Sequence, residues 1–96
     1  MIPGLTTKLS EEVIASAATI YPKTDLVRVT GTTNIATITP AFGGGFSGIL
    51  FVVPVDGTVN TVTTGNILVA VAMPVNRATL LVYSKVANKW YPGAIS

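Results

Sequence analysis

The sequence predicts an all-β fold, a small antiparallel β-sandwich or barrel of about six to eight short strands with an N-terminal arm. Thr, Val and Ile, whose branched side chains favour strands over helices, make up 35 of the 96 residues. Short apolar runs recur between Gly, Pro and Asn residues, which is typical of strands joined by tight turns. A chain of this length has room for one core, so we divide it into an arm over residues 1–22 and a β domain over residues 23–96.

The arm contains Ser10, Glu11 and Glu12, and two structures are open for the residues that follow. Ser10 could cap one short helix with both carboxylates in its first turn, where the helix dipole favours negative charge. Alternatively, residues 18–21 already belong to the first strand and Pro22 ends it, because Pro cannot donate to a sheet ladder.

The β domain is predicted to begin with a hairpin. Its first strand is predicted at residues 26–30 and its second at residues 35–39. Residues 31–34, Gly-Thr-Thr-Asn, are turn-forming types that join the two strands. Pro40 ends the second strand, and the three glycines at 43–45 form a flexible connection to the next one.

Four further segments complete the predicted β domain. The apolar run 49–53 is followed by a turn at Asp56-Gly57, whose residue types suit a positive φ. Residues 67–73 form the next strand, residues 77–84 run back after the break at Pro74, and residues 89–91 follow a turn.

The later strands are apolar on both faces. In the run 49–53, Ile49, Phe51 and Val53 share one face while Leu50 and Val52 share the other, whereas a sheet wetted on one side alternates with polar residues. Only 10% of the residues are charged, against about 25% in an average chain. We therefore predict that another subunit covers the second face; the alternative is a compact sandwich whose central strands are buried within one chain. The candidates for subunit interface or core are Ile49, Phe51, Val53, Val69 and Val71.

The residue inventory argues against an enzyme. The chain has no Cys and no His, which removes thiol nucleophiles, imidazole bases and the usual zinc ligands. Its four carboxylates fall at adjacent or turn positions, so they predict no acid–base pair, no metal site and no other cofactor site. A net charge of +2 is too small to indicate nucleic-acid binding, and the longest apolar runs fall far below the ~18 residues of a membrane span.

Trp90 and Tyr91, flanked by lysines, are the candidates for stacking on a sugar or base, because a flat ring beside a cation holds such ligands. The alternative is that these aromatic rings close the core at the end of the last strand.

Five blocks of the sequence also occur together, in this order, in a known group of proteins. They are LVRVTGTTNIATI at 26–38, GFSG at 45–48, TGNI at 64–67, LLVY at 80–83 and KWYP at 89–92. Over residues 20–92 the chain resembles the small β module of tailed-bacteriophage virion proteins, of the capsid decoration (cement) or head-fibre type. It departs from the pattern at residues 84–88, Ser-Lys-Val-Ala-Asn, where Asp-Gly-Thr is expected after Tyr83.

The resemblance implies a structural virion protein without catalytic residues, present as a homotrimer, and a tail fibre is expected to be far longer than this chain. Its partner would be the major capsid protein, and it would stabilise contacts between capsomers on the assembled head after synthesis in the host cytoplasm. The alternative is a receptor- or glycan-binding module of a tail or head fibre. Residues 1–9 and the hydrophobic face of the β domain are the candidate capsid contacts, with the contacts of the arm expected from Ile2, Pro3, Leu5 and Leu9.

Overall fold

The computed structural model describes residues 10–41, 43 and 45–93, which form nine strands and no helix. The all-β class is confirmed, and the strands build an open, sandwich-like globule rather than a closed barrel. The strands are β1 (Glu11–Ala15), β2 (Thr19–Ile20), β3 (Leu26–Thr30), β4 (Thr37–Ile38), β5 (Gly48–Pro54), β6 (Val59–Asn60), β7 (Ala72–Met73), β8 (Thr79–Ser84) and β9 (Lys89–Pro92).

One large sheet organises the molecule. It has five strands in the order β1-β3-β5-β8-β9, accompanied by two-stranded sheets formed by β2 with β4 and by β6 with β7. The pairs β1–β3, β3–β5 and β2–β4 are parallel, whereas β5–β8, β8–β9 and β6–β7 are antiparallel. The large sheet is therefore mixed, where the sequence predicted antiparallel pairing.

The parallel pairs follow from the path of the chain. Parallel neighbours cannot be joined by a tight turn and need a crossover connection. Between β1 and β3 the chain passes through β2, and between β3 and β5 it passes through β4, so both crossovers run through the same small sheet. The predicted hairpin of residues 26–30 with 35–39 is thus wrong, because β3 and β4 lie in different sheets.

The helix considered for the arm is also wrong, and the alternative is confirmed only in part: of residues 18–21, Thr19–Ile20 form a strand, but this strand is β2 and not the first one. Residues 11–15 form β1, the edge strand of the large sheet, and β2 ends two residues before Pro22. Glu12 does not serve a helix N-terminus; its carboxylate accepts hydrogen bonds from the backbone N–H groups of Lys23 and Thr24. Residues 10–20 therefore belong to the β fold, while residues 1–9 lie outside the described part of the chain.

The predicted strand 67–73 is shorter than expected. Only Ala72–Met73 forms a strand, and Ile67 makes a single bridge to Trp90. Between them, the hydroxyl of Thr61 donates to the carbonyl of Val69, and the N–H of Val71 donates to that hydroxyl. The N–H of Thr61 also donates to the carbonyl of Val71, so the backbone and the side chain of Thr61 together hold the middle of the apolar run.

The core lies between the inner face of the large sheet and the two small sheets. Trp90 is the largest fully buried side chain, and its ring centroid is 5.2 Å from that of Tyr83. The strands β3, β5 and β8 contribute alternate residues, as strands with one covered face must, whereas β1 contributes only the partly buried Ile14. The buried apolar residues are Ile20, Val27, Val29, Ile35, Ile38, Leu50, Val52, Val59, Ile67, Met73, Leu81, Tyr83 and Trp90.

Candidate functional site: the outer face of the large sheet

The side of the five-stranded sheet that faces away from the core carries apolar side chains from every strand. The pairing register aligns them in rows across the sheet. We call this surface the outer face; it consists of Val13, Leu26, Arg28, Ile49, Phe51, Val53, Leu80, Val82 and Tyr91, with Glu11 at one edge.

Much of the outer face is open to solvent. Val13 is 64% exposed, Ile49 44%, and Val82 and Tyr91 40% each, while Phe51 is half-buried. Ile49, Val82 and Tyr91 are directly opposed in neighbouring strands, so they form one continuous row. Strands spaced about 4.8 Å apart and about five residues long give the face roughly 300 Å². A patch of that size is comparable to the largest apolar patch on an ordinary monomer, and such patches are often functional.

The charged groups of the outer face are few and already engaged. Arg28 lies 3.6 Å from Glu11, with both side chains about half exposed. At the opposite edge, the Lys89 ammonium donates to the carbonyl of Gly65 at 3.0 Å. The face therefore offers no cluster of one sign that would select a strongly acidic or basic partner.

The side chains of Trp90 and Tyr91 lie on opposite faces of the large sheet. Trp90 is 1% exposed, and its indole Nε1–H donates to the carbonyl of Ile38 at 3.0 Å. Its ring has no open face on which a ligand could stack, which corrects the stacking candidate and agrees with its core-closing alternative. Tyr91 lies on the outer face, so it takes part in that apolar surface.

Asn66 connects β4 to β9 of the large sheet, and sequence reasoning assigned it no role. The Asn66 side chain accepts from the N–H of Ile38 at 2.9 Å and donates to its carbonyl at 2.8 Å, so it pairs with β4 as a strand backbone would. The N–H of Trp90 in turn donates to the Asn66 carbonyl at 2.8 Å. The blocks TGNI and KWYP of the sequence meet here through Asn66 and Trp90. At this point the two residues hold the fold together.

The remaining candidate contacts are distributed unevenly. Ile49, Phe51 and Val53 lie together on the outer face of β5, whereas Leu50 and Val52 are buried beneath them, as the alternation predicted. Val69 and Val71 lie in the segment before β7, outside the five strands of the large sheet; Val69 is 48% exposed and Val71 packs partly against the core. The capsid-contact candidates Ile2, Pro3, Leu5 and Leu9 fall outside the described residues.

Three of the four carboxylates have structural partners, and Glu11 is the one that pairs with Arg28. Besides Glu12, Asp56 accepts a hydrogen bond from the N–H of Gly31 at 2.7 Å and ties the β5–β6 turn to the end of β3. Among residues 10–41, 43 and 45–93 there is no pocket for a small ligand and no cluster of three potential metal ligands. The same residues contain no helix that is long and apolar enough to cross a membrane.

Comparisons of this chain with protein-family models, with curated proteins and with solved structures find no match.

Proposed function

We propose that this chain is a non-enzymatic structural protein of a bacteriophage virion, which decorates the assembled head as a homotrimer and stabilises contacts between capsomers. The observation that carries the proposal is the outer face: apolar side chains from four of its five strands remain exposed in a chain of which only 10% is charged. Such a face is costly to leave in water and is suited to protein contact. The resemblance of the five sequence blocks to phage β modules supplies the biological setting.

The size of the outer face indicates how strong a contact it could make. Burying about 300 Å² of apolar surface stabilises a complex by about 7 kcal/mol per copy. Association costs roughly 4–15 kcal/mol in lost freedom, so this face alone gives an oligomer that depends on concentration. Attachment to a shell adds the missing stability, because subunits held together on one surface dissociate slowly.

The proposed mechanism is mass action on the shell. A protein that binds the assembled head and not its separated subunits stabilises the head by RT ln(1 + [L]/Kd) at each site. In this scheme the outer face joins copies of the chain, and residues 1–9 contact the major capsid protein with Ile2, Pro3, Leu5 and Leu9. Neither step needs a catalytic group or a cofactor.

The test combines two measurements on the purified full chain: its solution mass by light scattering over a range of concentrations, and its co-sedimentation with capsids that lack it. We expect the mass to rise toward three chains and the protein to pellet with shells. A monomer at all concentrations that stays in the supernatant would contradict the proposal. That result would favour the receptor- or glycan-binding alternative, which a glycan-binding assay with Tyr91→Ala would then examine.

A further inference from the structure

The two edges of the large sheet differ. At the β9 edge, the N–H of Trp90 donates to the carbonyl of Asn66 and the N–H of Leu68 donates to the carbonyl of Trp90, so a neighbouring segment closes it. At the β1 edge, no hydrogen bond from a described backbone group is found. An open edge strand is a template for another strand.

The phase of the β1–β3 ladder identifies the free groups. The N–H of Leu26 donates to the carbonyl of Ser10, and the N–H of Ser16 donates to the carbonyl of Thr30. In a parallel ladder the residues of one strand alternate between the two sides, so the even-numbered residues of β1 face β3. The N–H and C=O groups of Glu11, Val13 and Ala15 therefore point away from the sheet.

Neither Lys nor Pro, two residues that discourage pairing at natural edges, occurs in β1. Natural edges carry Lys, Pro or a bulge that discourages pairing. The sequence of β1 is Glu-Glu-Val-Ile-Ala, and its two charges are occupied: Glu11 pairs with Arg28, and Glu12 accepts from the backbone of the following loop. At its centre Val13 is 64% exposed.

We propose that β1 pairs antiparallel with β1 of a second copy of this chain, about a two-fold axis at Val13. In this register Val13 lies opposite Val13, Glu11 opposite Ala15 and Glu12 opposite Ile14, so no two like charges face each other. A parallel pairing in register would place each glutamate opposite its own copy, which is unfavourable. The strand thus matches itself in one orientation only.

This pairing would extend the large sheet through both copies and place their outer faces side by side. The inference depends only on the edge geometry and is independent of the proposed virion role. It is also compatible with trimers formed through the outer face, because β1 is the edge strand of the sheet and would link one trimer to the next.

The test uses single cysteines, which are unambiguous because the chain has none of its own. In the proposed register the Cα atoms of Val13 and its copy lie about 5.5 Å apart, within disulfide range. Those of Ala15 and its copy lie about 14 Å apart, beyond that range. Under mild oxidation, full-length V13C should shift to twice its mass on a non-reducing gel, whereas the matched control A15C should stay at one chain.

A second variant tests the hydrogen bonding directly. Val13→Pro removes an outward N–H while leaving the ladder to β3 intact, since Pro is tolerated at an edge position whose N–H faces solvent. It should lower the mass measured by light scattering to that of the species held by the outer face alone, whereas Val13→Thr, which keeps the N–H, should not. Absence of the V13C dimer, equal cross-linking of A15C, or an unchanged mass for a folded Val13→Pro chain would each overturn the inference.

Discussion

At the scale of single residues, Gly65 lies where two segments of backbone come closest. A Cβ atom built on Gly65 would collide with the Ala36 carbonyl group and with Oγ1 of Thr37 at the start of β4. Because a collision with backbone cannot be relieved by turning a side chain, Gly65→Ala should lower the free energy of unfolding by about 3 kcal/mol. Gly45 is the matched control: an added Cβ meets nothing within 4 Å there, so Gly45→Ala should leave stability unchanged or raise it by about 0.4–1 kcal/mol.

Urea unfolding of both glycine variants under identical conditions provides the measurement, read as a shift in midpoint at constant slope. Equal midpoints for the two variants would show that the close approach at Gly65 does not constrain the fold.

The next residue, Asn66, makes a second prediction at this scale. Its amide donates to the Ile38 carbonyl while its oxygen accepts from the Ile38 N–H. Asn66→Asp keeps the shape but replaces the donor by a carboxylate oxygen facing a carbonyl, which should cost about 1–3 kcal/mol of stability. Asn60→Asp, at an exposed position of β6, is the control and should change stability by less than about 0.5 kcal/mol.

The pH dependence separates this mechanism from a general effect of charge. Once protonated, the introduced carboxyl can donate to the Ile38 carbonyl, so acidification should recover part of the loss in Asn66→Asp. A loss that is the same at acid and neutral pH would contradict the role assigned to the amide donor.

At the scale of the elements, β8 contributes the centre of the exposed row on the outer face. Val82 lies between Ile49 of β5 and Tyr91 of β9. If this row joins copies of the chain, Val82→Asp buries a carboxylate among apolar side chains and should weaken association by about 100-fold or more. The monomer should still fold, because Val82 is 40% exposed within one chain.

Val86 supplies the matched control for this element. It is 88% exposed in the turn between β8 and β9, so Val86→Asp adds the same charge away from the outer face and should leave the mass unchanged. Light scattering of both variants measures the solution mass. An oligomer that persists in Val82→Asp would show that the copies contact each other through another surface. On β5, Phe51→Asp acts on the same face, but Phe51 is half-buried, so circular dichroism must accompany that variant.

The elements differ in how far the sequence predicts them. For β5, alternation separated Leu50 and Val52 from Ile49, Phe51 and Val53, because a strand has a period of two whatever its partners are. It did not tell which of the two apolar faces is buried, which the structure shows to be that of Leu50 and Val52. The antiparallel pairing of β8 with β9 also followed from the sequence, since a local turn at residues 85–88 joins them. In that turn Asn88 adopts a φ of 55°, a conformation that Asn tolerates well.

The parallel pairs were not predictable in the same way. Alternation tells which face a residue occupies but not which strand lies beside it, so β3 was assigned to its neighbour in sequence rather than to β1 and β5. The hydrogen bonds of Asn66 were missed for a related reason. Asn66 bonds to Ile38 across 28 positions, and the turn-forming residues at 65–66 gave no sign of that partner. Contacts of this kind depend on the completed topology.

At the scale of the whole molecule, the chain has few charges. Raising the salt concentration therefore tests whether apolar contacts or ion pairs hold its copies together. With six basic and four acidic residues, the chain has little long-range field to screen. An oligomer held by the outer face should therefore persist when sodium chloride is raised to about 1 M, and sulfate should strengthen it by favouring apolar burial. Sedimentation velocity across the salt series checks this, and dissociation at high salt would show that ion pairs hold the copies together.

The proposed division of labour within the molecule gives the last prediction. The outer face belongs to the described sheet, whereas the candidate capsid contacts belong to residues 1–9, so the two activities should be separable. A chain that lacks residues 1–9 should keep its circular dichroism and its oligomeric mass. It should occupy shells several-fold less well, because every subunit of the multivalent assembly loses its contact with the shell. Val82→Asp should do the reverse, retaining the segment but losing avidity with the oligomer. Quantitative co-sedimentation of both variants with undecorated heads tests this, and full occupancy by the shortened chain would assign capsid binding to the β domain instead.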